Sequence, residues 1–353
     1  MRLAVFLTWC LLVAAFVVTG CGGDDDAKDP TPEQTARDES SPSAEEAASP
    51  EQTATEGEEA WTSLPPLPSG PRQELGVATL RGEVYTVGGF DTTGNIVGLV
   101  EVYDPESETW RTVAPVPAEI HHANVVASDD RLYVIGFQTG PFIGDGRVFE
   151  YDPDSDSWTQ KAPMPAGTER GASGAALVDG FIYVAGGFRE GQAVSDFARY
   201  DPASDTWEEL PDMPAARDHL AAAGIDGLFF AIGGRLGAIN SHSPLVFSFD
   251  PATDEWTERA PMPTSRGGIA AAVLEGLIYV FGGEGNAADP TGVFEQVEVY
   301  DPATDTWSSA GSMAAPRHGT GAAVIGDFIC LPGGADVQAF GAVDTADAFR
   351  PPD

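Results

Sequence analysis

From about residue 72 onward, short apolar runs and turn residues follow one another in a fixed order. Small alternating segments such as SGAALV (173–178) and IAAAVL (269–274) have the period of two expected of a half-buried strand. A two-residue turn follows: Asp179-Gly180, Asp226-Gly227 or Glu275-Gly276. An acidic residue and Gly between apolar runs predict a tight hairpin into the next segment, an apolar β-branched run such as FIYVAGG or LIYVFGG. A longer loop leads to a third run, for example VEVYD (297–301). The phrase YDPATDTW (300–307) then predicts a second hairpin, opening a fourth strand at Trp. Each unit therefore reads as four strands, a to d.

The unit recurs. Trp61, Trp110, Trp158, Trp207, Trp256 and Trp307 are separated by 49, 48, 49, 49 and 51 residues. Paired glycines keep the same period at Gly88-Gly89, Gly186-Gly187, Gly233-Gly234, Gly282-Gly283 and Gly333-Gly334, with Gly136-Phe137 as a degenerate copy. A period of this length marks a repeat architecture. The strand-c aromatic, the Asp-Pro turn and the Trp are expected to be structural, with the rings packing between neighbouring units and Asp104, Asp152, Asp201, Asp250 and Asp301 capping their own turns. The glycine doublets are expected to let strand ends approach neighbouring aromatics.

The GG doublet, the strand-c Tyr, the Trp six residues beyond the Asp and the Arg opening strand a together resemble the kelch repeat, over about residues 61–353. The resemblance implies an all-β, six-bladed β-propeller with four-stranded blades. The blades are expected at 72–117, 118–165, 166–214, 215–263, 264–313 and 314–353. The last has no Trp, whereas WTSLPPLP (61–68) looks like a lone strand d, so the N-terminal strand is expected to close the last blade.

Up-and-down strands put the a–b and c–d turns at one end, which the repeated Asp residues should make acidic, and the b–c loops and d–a links at the other. Sixteen residues before the first Gly of each doublet stand Arg72, Ile120, Arg170, Arg217, Arg266 and Arg317. This arginine ring at the channel mouth is a candidate site for a carboxylate, an acidic sugar or an acidic peptide, since the planar guanidinium fork binds two oxygens; in kelch domains that bind acidic peptides, Arg at this position takes part. The other reading is that each Arg braces loop carbonyls or a neighbouring carboxylate. Departures from the repeat are candidates as well: His121, His122, Arg189, His219, Arg235, Glu284 and His318, with the long segment 283–296 expected to overhang the mouth.

The ends and the charge narrow the function. Arg2 and the apolar run Leu3–Val18 precede Val18-Thr19-Gly20-Cys21, which resembles the lipobox of bacterial lipoproteins; the alternative is an uncleaved signal anchor. The resemblance implies a signal peptide over 1–20, lipidation of Cys21, and a chain exported and anchored in the cell envelope, at the outer membrane where the organism has one. Residues 21–60 read as an acidic tether, since 22–60 hold thirteen acidic and two basic residues and no apolar period. The net charge of -37 argues against nucleic acid. Cys330 is the one thiol beyond Cys21 in the mature chain, so stability must come from packing, not from an internal disulfide.

The expected task is binding a protein or an anionic or glycan ligand, with no cofactor, no metal and no identified catalytic residue. Secreted sialic-acid mutarotases look similar and give the alternative of a carbohydrate enzyme, with Glu284 as a proton shuttle. Copper oxidases of the galactose oxidase type fit less well, because Cys330 occupies a core position of strand b. A structural part of an envelope complex is the third reading.

Overall fold

The computed structural model describes residues 60–352. Every regular element in that span is a strand, and the main sheets are six, each of four antiparallel strands. The first blade is typical: strand a is Gly76–Leu80, b Glu83–Val87, c Val100–Asp104 and d Thr109–Val113. The next four blades repeat that order. The stretch read from sequence as a signal segment with Cys21, and the expected tether up to residue 59, lie outside the described residues.

The sixth blade takes strands a to c from Ala323–Ile325, Phe328–Pro332 and Ala346–Phe349, and its strand d from Trp61–Leu64. Trp61 pairs with Phe349 and Leu64 with Ala346. The aromatic bracket is rebuilt across the seam: Trp61 and Phe349 lie 4.9 Å apart, as Tyr151 and Trp158 do within one blade. The ring closes as the sequence predicts.

Side chains explain why blades stack. Six apolar clusters make up the core, each at an interface between consecutive blades; Tyr85, Val102, Leu132 and Phe149, for instance, join the first and second. Burying one such ring contributes on the order of 2–3 kcal/mol. Each strand-d Trp also donates its indole N–H to a carbonyl of the preceding blade's outgoing segment, as Trp158 to Ala114 (2.8 Å), Trp307 to Ala260 (2.9 Å) and Trp61 to Ser312 (3.0 Å). The five Asp-Pro carboxylates accept from the amide two residues on, at 2.8–2.9 Å. A second Asp of the phrase joins blades: Asp305 accepts from the Tyr300 hydroxyl (2.6 Å) and from the Ala260 amide (2.8 Å).

The glycine doublets differ from expectation. They approach backbone rather than aromatic rings. A Cβ on Gly186 would sit 2.5 Å from the Arg217 carbonyl of the next blade, and Gly187 donates its amide to that same carbonyl at 2.8 Å. Both residues have positive φ, 59° and 119°, so glycine is required for geometry and for space.

Candidate functional site

The link from strand d of one blade to strand a of the next carries three consecutive positions with different tasks. The first is the repeated Arg. The second pairs through its backbone with the residue after the glycine doublet: Gln73 with Phe90, His121 with Gln138, Gly171 with Phe188, Asp218 with Arg235, Gly267 with Glu284 and His318 with Ala335. The third turns into strand a with a left-handed backbone: Glu74 (φ 54°), His122 (50°), Ala172 (51°), His219 (52°), Gly268 (67°) and Gly319 (62°). Each of these six donates its amide to the carbonyl of the third-position residue in the preceding blade, at 2.6–3.3 Å, from Glu74 onto Gly319 round to Gly319 onto Gly268. Six backbone hydrogen bonds thus form a closed hoop around the channel. Within it, small strand-a residues of all six blades line a cavity of about 160 Å³.

The arginines do not line this opening. Arg72, Arg170, Arg217, Arg266 and Arg317 are buried, at 0–2% exposure. Arg170 donates to the carbonyls of Gly186 (2.8 Å) and Val184 (3.0 Å), and Arg217 to those of Gly233 (2.8 Å) and Leu245 (2.6 Å). Arg72 pairs with Glu101, Arg266 with Glu298, and Arg317 with Asp347 at 2.8 Å. As a ligand-binding ring they are therefore corrected to braces: the offset in sequence places them by the mouth, but their guanidinium groups turn inward and are already bonded. The second blade, which lacks this Arg, shows the brace by substitution. There Ile120 is buried and Asn124 donates its amide to the Gly136 carbonyl at 3.2 Å.

The departures from the repeat do converge. His122 Nε2 lies 3.2 Å from a Glu74 carboxylate oxygen, and the His122 and His219 rings are 4.8 Å apart. His219 Nδ1 lies 2.5 Å from Asp218, which also accepts from Arg235 Nε at 3.1 Å. Arg235 bridges onward to Glu284, and its Nη2 lies 2.8 Å from His219 Nε2. His318 stands between two carboxylates, 3.5 Å from Glu74 and 3.7 Å from Glu284. His121 backs the group, with Nδ1 2.5 Å from His122 Nδ1 and Nε2 3.1 Å from the Gly140 carbonyl. Gly319 makes room, since a Cβ there would come 2.6 Å from Glu74 Oε1.

Arg189 lies apart, paired with Asp196 at 2.7 Å on the third blade's b–c loop. The segment 283–296 does not overhang the mouth as a whole. Its Glu284 joins the cluster, while Thr291 accepts from the Gln338 amide of the sixth blade's loop. That neighbouring loop is the one held at the mouth: the Ala339 amide donates to Glu284 (3.0 Å), and Gln73 bonds Ala339 O (2.6 Å) and the Gly341 amide (2.9 Å).

Burial and charge set the protonation. Burial works to raise the Glu74 carboxyl, but His122, His318 and His219 outweigh it and hold it well below the usual range. Burial pushes His122 well below its ordinary value and His121 down to about 4. For His318 burial also opposes the charged form, yet Glu74 and Glu284 prevail and raise it. Burial would raise Asp218, but His219 and Arg235 bring it down.

Above this polar floor is an apolar rim. The exposed large hydrophobic residues among the described residues are Phe142, Ile143, Leu236, Val337 and Phe340. All five lie on b–c loops, those of the second, fourth and sixth blades. Phe90 links them to the cluster, 5.5 Å from Phe340, 6.2 Å from Phe142 and 4.3 Å from His121.

Glu74 and Asp218 are absent from the candidates read from sequence. The signal was present: aligning the units on the Arg puts Asp218 in the position of His121 and His318, and Glu74 in that of His122 and His219.

Comparisons with known proteins agree with this architecture. The KLHDC2/KLHL20/DRC7 Kelch-repeats domain matches residues 147–334, and the Kelch motif matches residues 71–117. The Kelch-like protein terF of Aspergillus terreus is 34% identical over 317 residues, covering 83% of this chain and 68% of that protein. Kelch-like protein 40 of Mus musculus is 31% identical over 183 residues, covering 49% of this chain and only 28% of its own length. Among solved structures, that of YjhT superposes with a TM-score of 0.66 at 16% identity, over 80% of this chain and 95% of YjhT, a likeness of fold.

Proposed function

The chain belongs to the kelch-repeat family, and from that premise we propose that it is a binding module of the cell envelope, held by a lipidated Cys21 and taking a protein or glycan ligand on the face of its b–c loops and d–a links. The observation that carries this reading is the distribution of exposed large hydrophobic side chains, which among the described residues all stand on b–c loops of that one face. Clustered apolar side chains on an otherwise charged surface mark an interaction site, and Phe142 and Phe340 offer flat rings to a sugar or an apolar side chain. A ligand held by the five braced arginines is no part of the proposal.

Binding of the purified full chain to glycan and protein arrays tests it. Phe142→Ala with Phe340→Ala is expected to weaken any specific hit at least about tenfold, as for hot-spot aromatics; undiminished binding would refute the role of this face. Anchoring is tested separately. Cys21→Ala is expected to move the chain from the membrane fraction to the soluble one.

A second reading, a carbohydrate enzyme acting at the mouth, is favoured by the Asp218–His219 and Glu74–His122 contacts, which pair acids with bases beneath an aromatic rim. Accelerated anomer exchange of an acidic sugar, lost in His219→Ala, would support it; exchange at the uncatalysed rate would exclude that substrate class. Recovery of the chain in a stable complex from native membranes would favour a structural role instead.

A further inference from the structure

The hydrogen bonds at the mouth fix which nitrogen of each imidazole carries the proton. His121 Nε2 faces the Gly140 carbonyl at 3.1 Å, and a carbonyl only accepts, so Nε2 is the donor. His121 Nδ1 is then a lone pair, and the His122 Nδ1 that lies 2.5 Å away must be the donor to it. In neutral His122 this leaves Nε2 as a bare lone pair, 3.2 Å from a Glu74 oxygen. Two electron-rich atoms this close repel unless something positive stands between them.

His219 also keeps an unprotonated Nε2, by another route. Its Nδ1 lies 2.5 Å from the Asp218 carboxylate, an acceptor, so its Nε2 carries the lone pair, which accepts from Arg235 Nη2 at 2.8 Å. A carboxylate holding the far nitrogen of a histidine is the usual outer support of a metal-bound imidazole. The ligating atoms of Glu74, His122 and His219 all lie within 4.8 Å of one another, a convergence not repeated among the described residues.

Charge points the same way. Asp218 and Glu284 share a single guanidinium, that of Arg235, and among the described residues no other Arg or Lys makes an ion pair with either of them, and none with Glu74, so carboxylates outnumber fixed cations here.

We propose that Glu74, His122 and His219 hold one divalent transition-metal ion, zinc or an ion of similar borderline character, at the mouth of the channel. Two imidazoles and a carboxylate suit such ions better than magnesium or calcium, which take oxygen ligands. Bonds of about 2.0–2.1 Å set tetrahedral ligand atoms about 3.3 Å apart, a spacing His122 Nε2 and Glu74 already have at 3.2 Å, so only the wider separations, none above 4.8 Å, must close. Arg235 Nη2 would leave His219 Nε2 and keep its contacts with Asp218 and Glu284. Three protein ligands leave a further coordination position for water or a ligand's oxygen. The site does not depend on anchoring or on any partner, so it can stand or fall separately from the binding reading.

The test uses the full chain, purified without a polyhistidine tag, stripped with chelator and titrated with cobalt(II) and zinc(II). Expected are one tight equivalent of zinc and visible cobalt bands that persist in excess magnesium. Because the acidic chain will collect cations loosely, the cobalt spectrum is the deciding readout. Glu74→Gln, His122→Ala and His219→Ala are each expected to abolish the bands or weaken binding more than about 100-fold, and Asp218→Asn, acting through His219, to weaken it about 10–100-fold. Circular dichroism melts identify any variant that fails to fold, and the near-isosteric Glu74→Gln serves as the variant least prone to that failure. The proposal is overturned if the native chain gives no cobalt bands, or if the bands survive unchanged in folded Glu74→Gln or His219→Ala.

Discussion

The two ends of the propeller are built from the same strands and behave differently. At the c–d end every complete blade says nearly the same thing: an Asp caps its turn, an aromatic faces a Trp, and the Trp reaches back to the previous blade. At the mouth the third position of each link reads Glu, His, Ala, His, Gly, Gly in turn. The backbone there is as regular as at the other end, with the same left-handed turn in all six blades. Geometry is repeated at both ends, but side-chain identity is repeated at only one. Where a repeat needs the residue itself it conserves both, and where it needs only the backbone the side chains are free to do chemistry.

That contrast can be broken at several points. Deleting residues 61–70 removes strand d of the sixth blade and its Trp, and is expected to abolish the single cooperative melt; a chain that still melts sharply at the same temperature would mean that closure is dispensable. Arg266→Ala strands Glu298 in the interior, and loss of one partner of a buried pair costs about 3–5 kcal/mol, to be read by urea unfolding. A loss near zero would return Arg266 to the list of ligand residues.

Acid sharpens the comparison, because the histidines gather at the mouth. The folded-state value of His121, about 4, lies below the ordinary 6.5. The unfolded chain therefore binds its proton first, and the contribution of neutral His121 is complete above about pH 6.5 and is lost as pH falls toward 4, on the order of 3 kcal/mol in all. His121→Asn should flatten the stability curve in that window, and an unchanged curve would place the acid sensitivity elsewhere. The smallest effect is expected from a single turn: Asp301→Ala removes one exposed cap of five and is expected to lower the urea midpoint only slightly, measured by the same titration.

The fold was legible in the sequence because a propeller is periodic and its signals are local. The Trp spacing counted the blades, and the absence of Trp from the last unit exposed the seam before any coordinate did. The site was half legible. His121, His122, His219, Arg235, Glu284 and His318 stood out because they break the pattern, and the structure brings them together. Glu74 and Asp218 fell at the same two offsets, but glutamate and aspartate draw no notice in so acidic a chain. The arginines misled for a different reason. An offset along the chain gives a level in the blade but not the side toward which a long side chain turns, and Arg217 turns under the hoop to the Gly233 and Leu245 carbonyls.

The hoop of six amides makes the width of the aperture a property of the main chain. The six side chains it presents are then exchangeable fittings on a fixed flange, subject to one filter: each must tolerate a left-handed backbone, which β-branched residues resist. A redesigned set of Gly, Asn, Asp and His at positions 74, 122, 172, 219, 268 and 319 should give new chemistry in the same frame, whereas Val or Ile at any of the six would deform the frame itself.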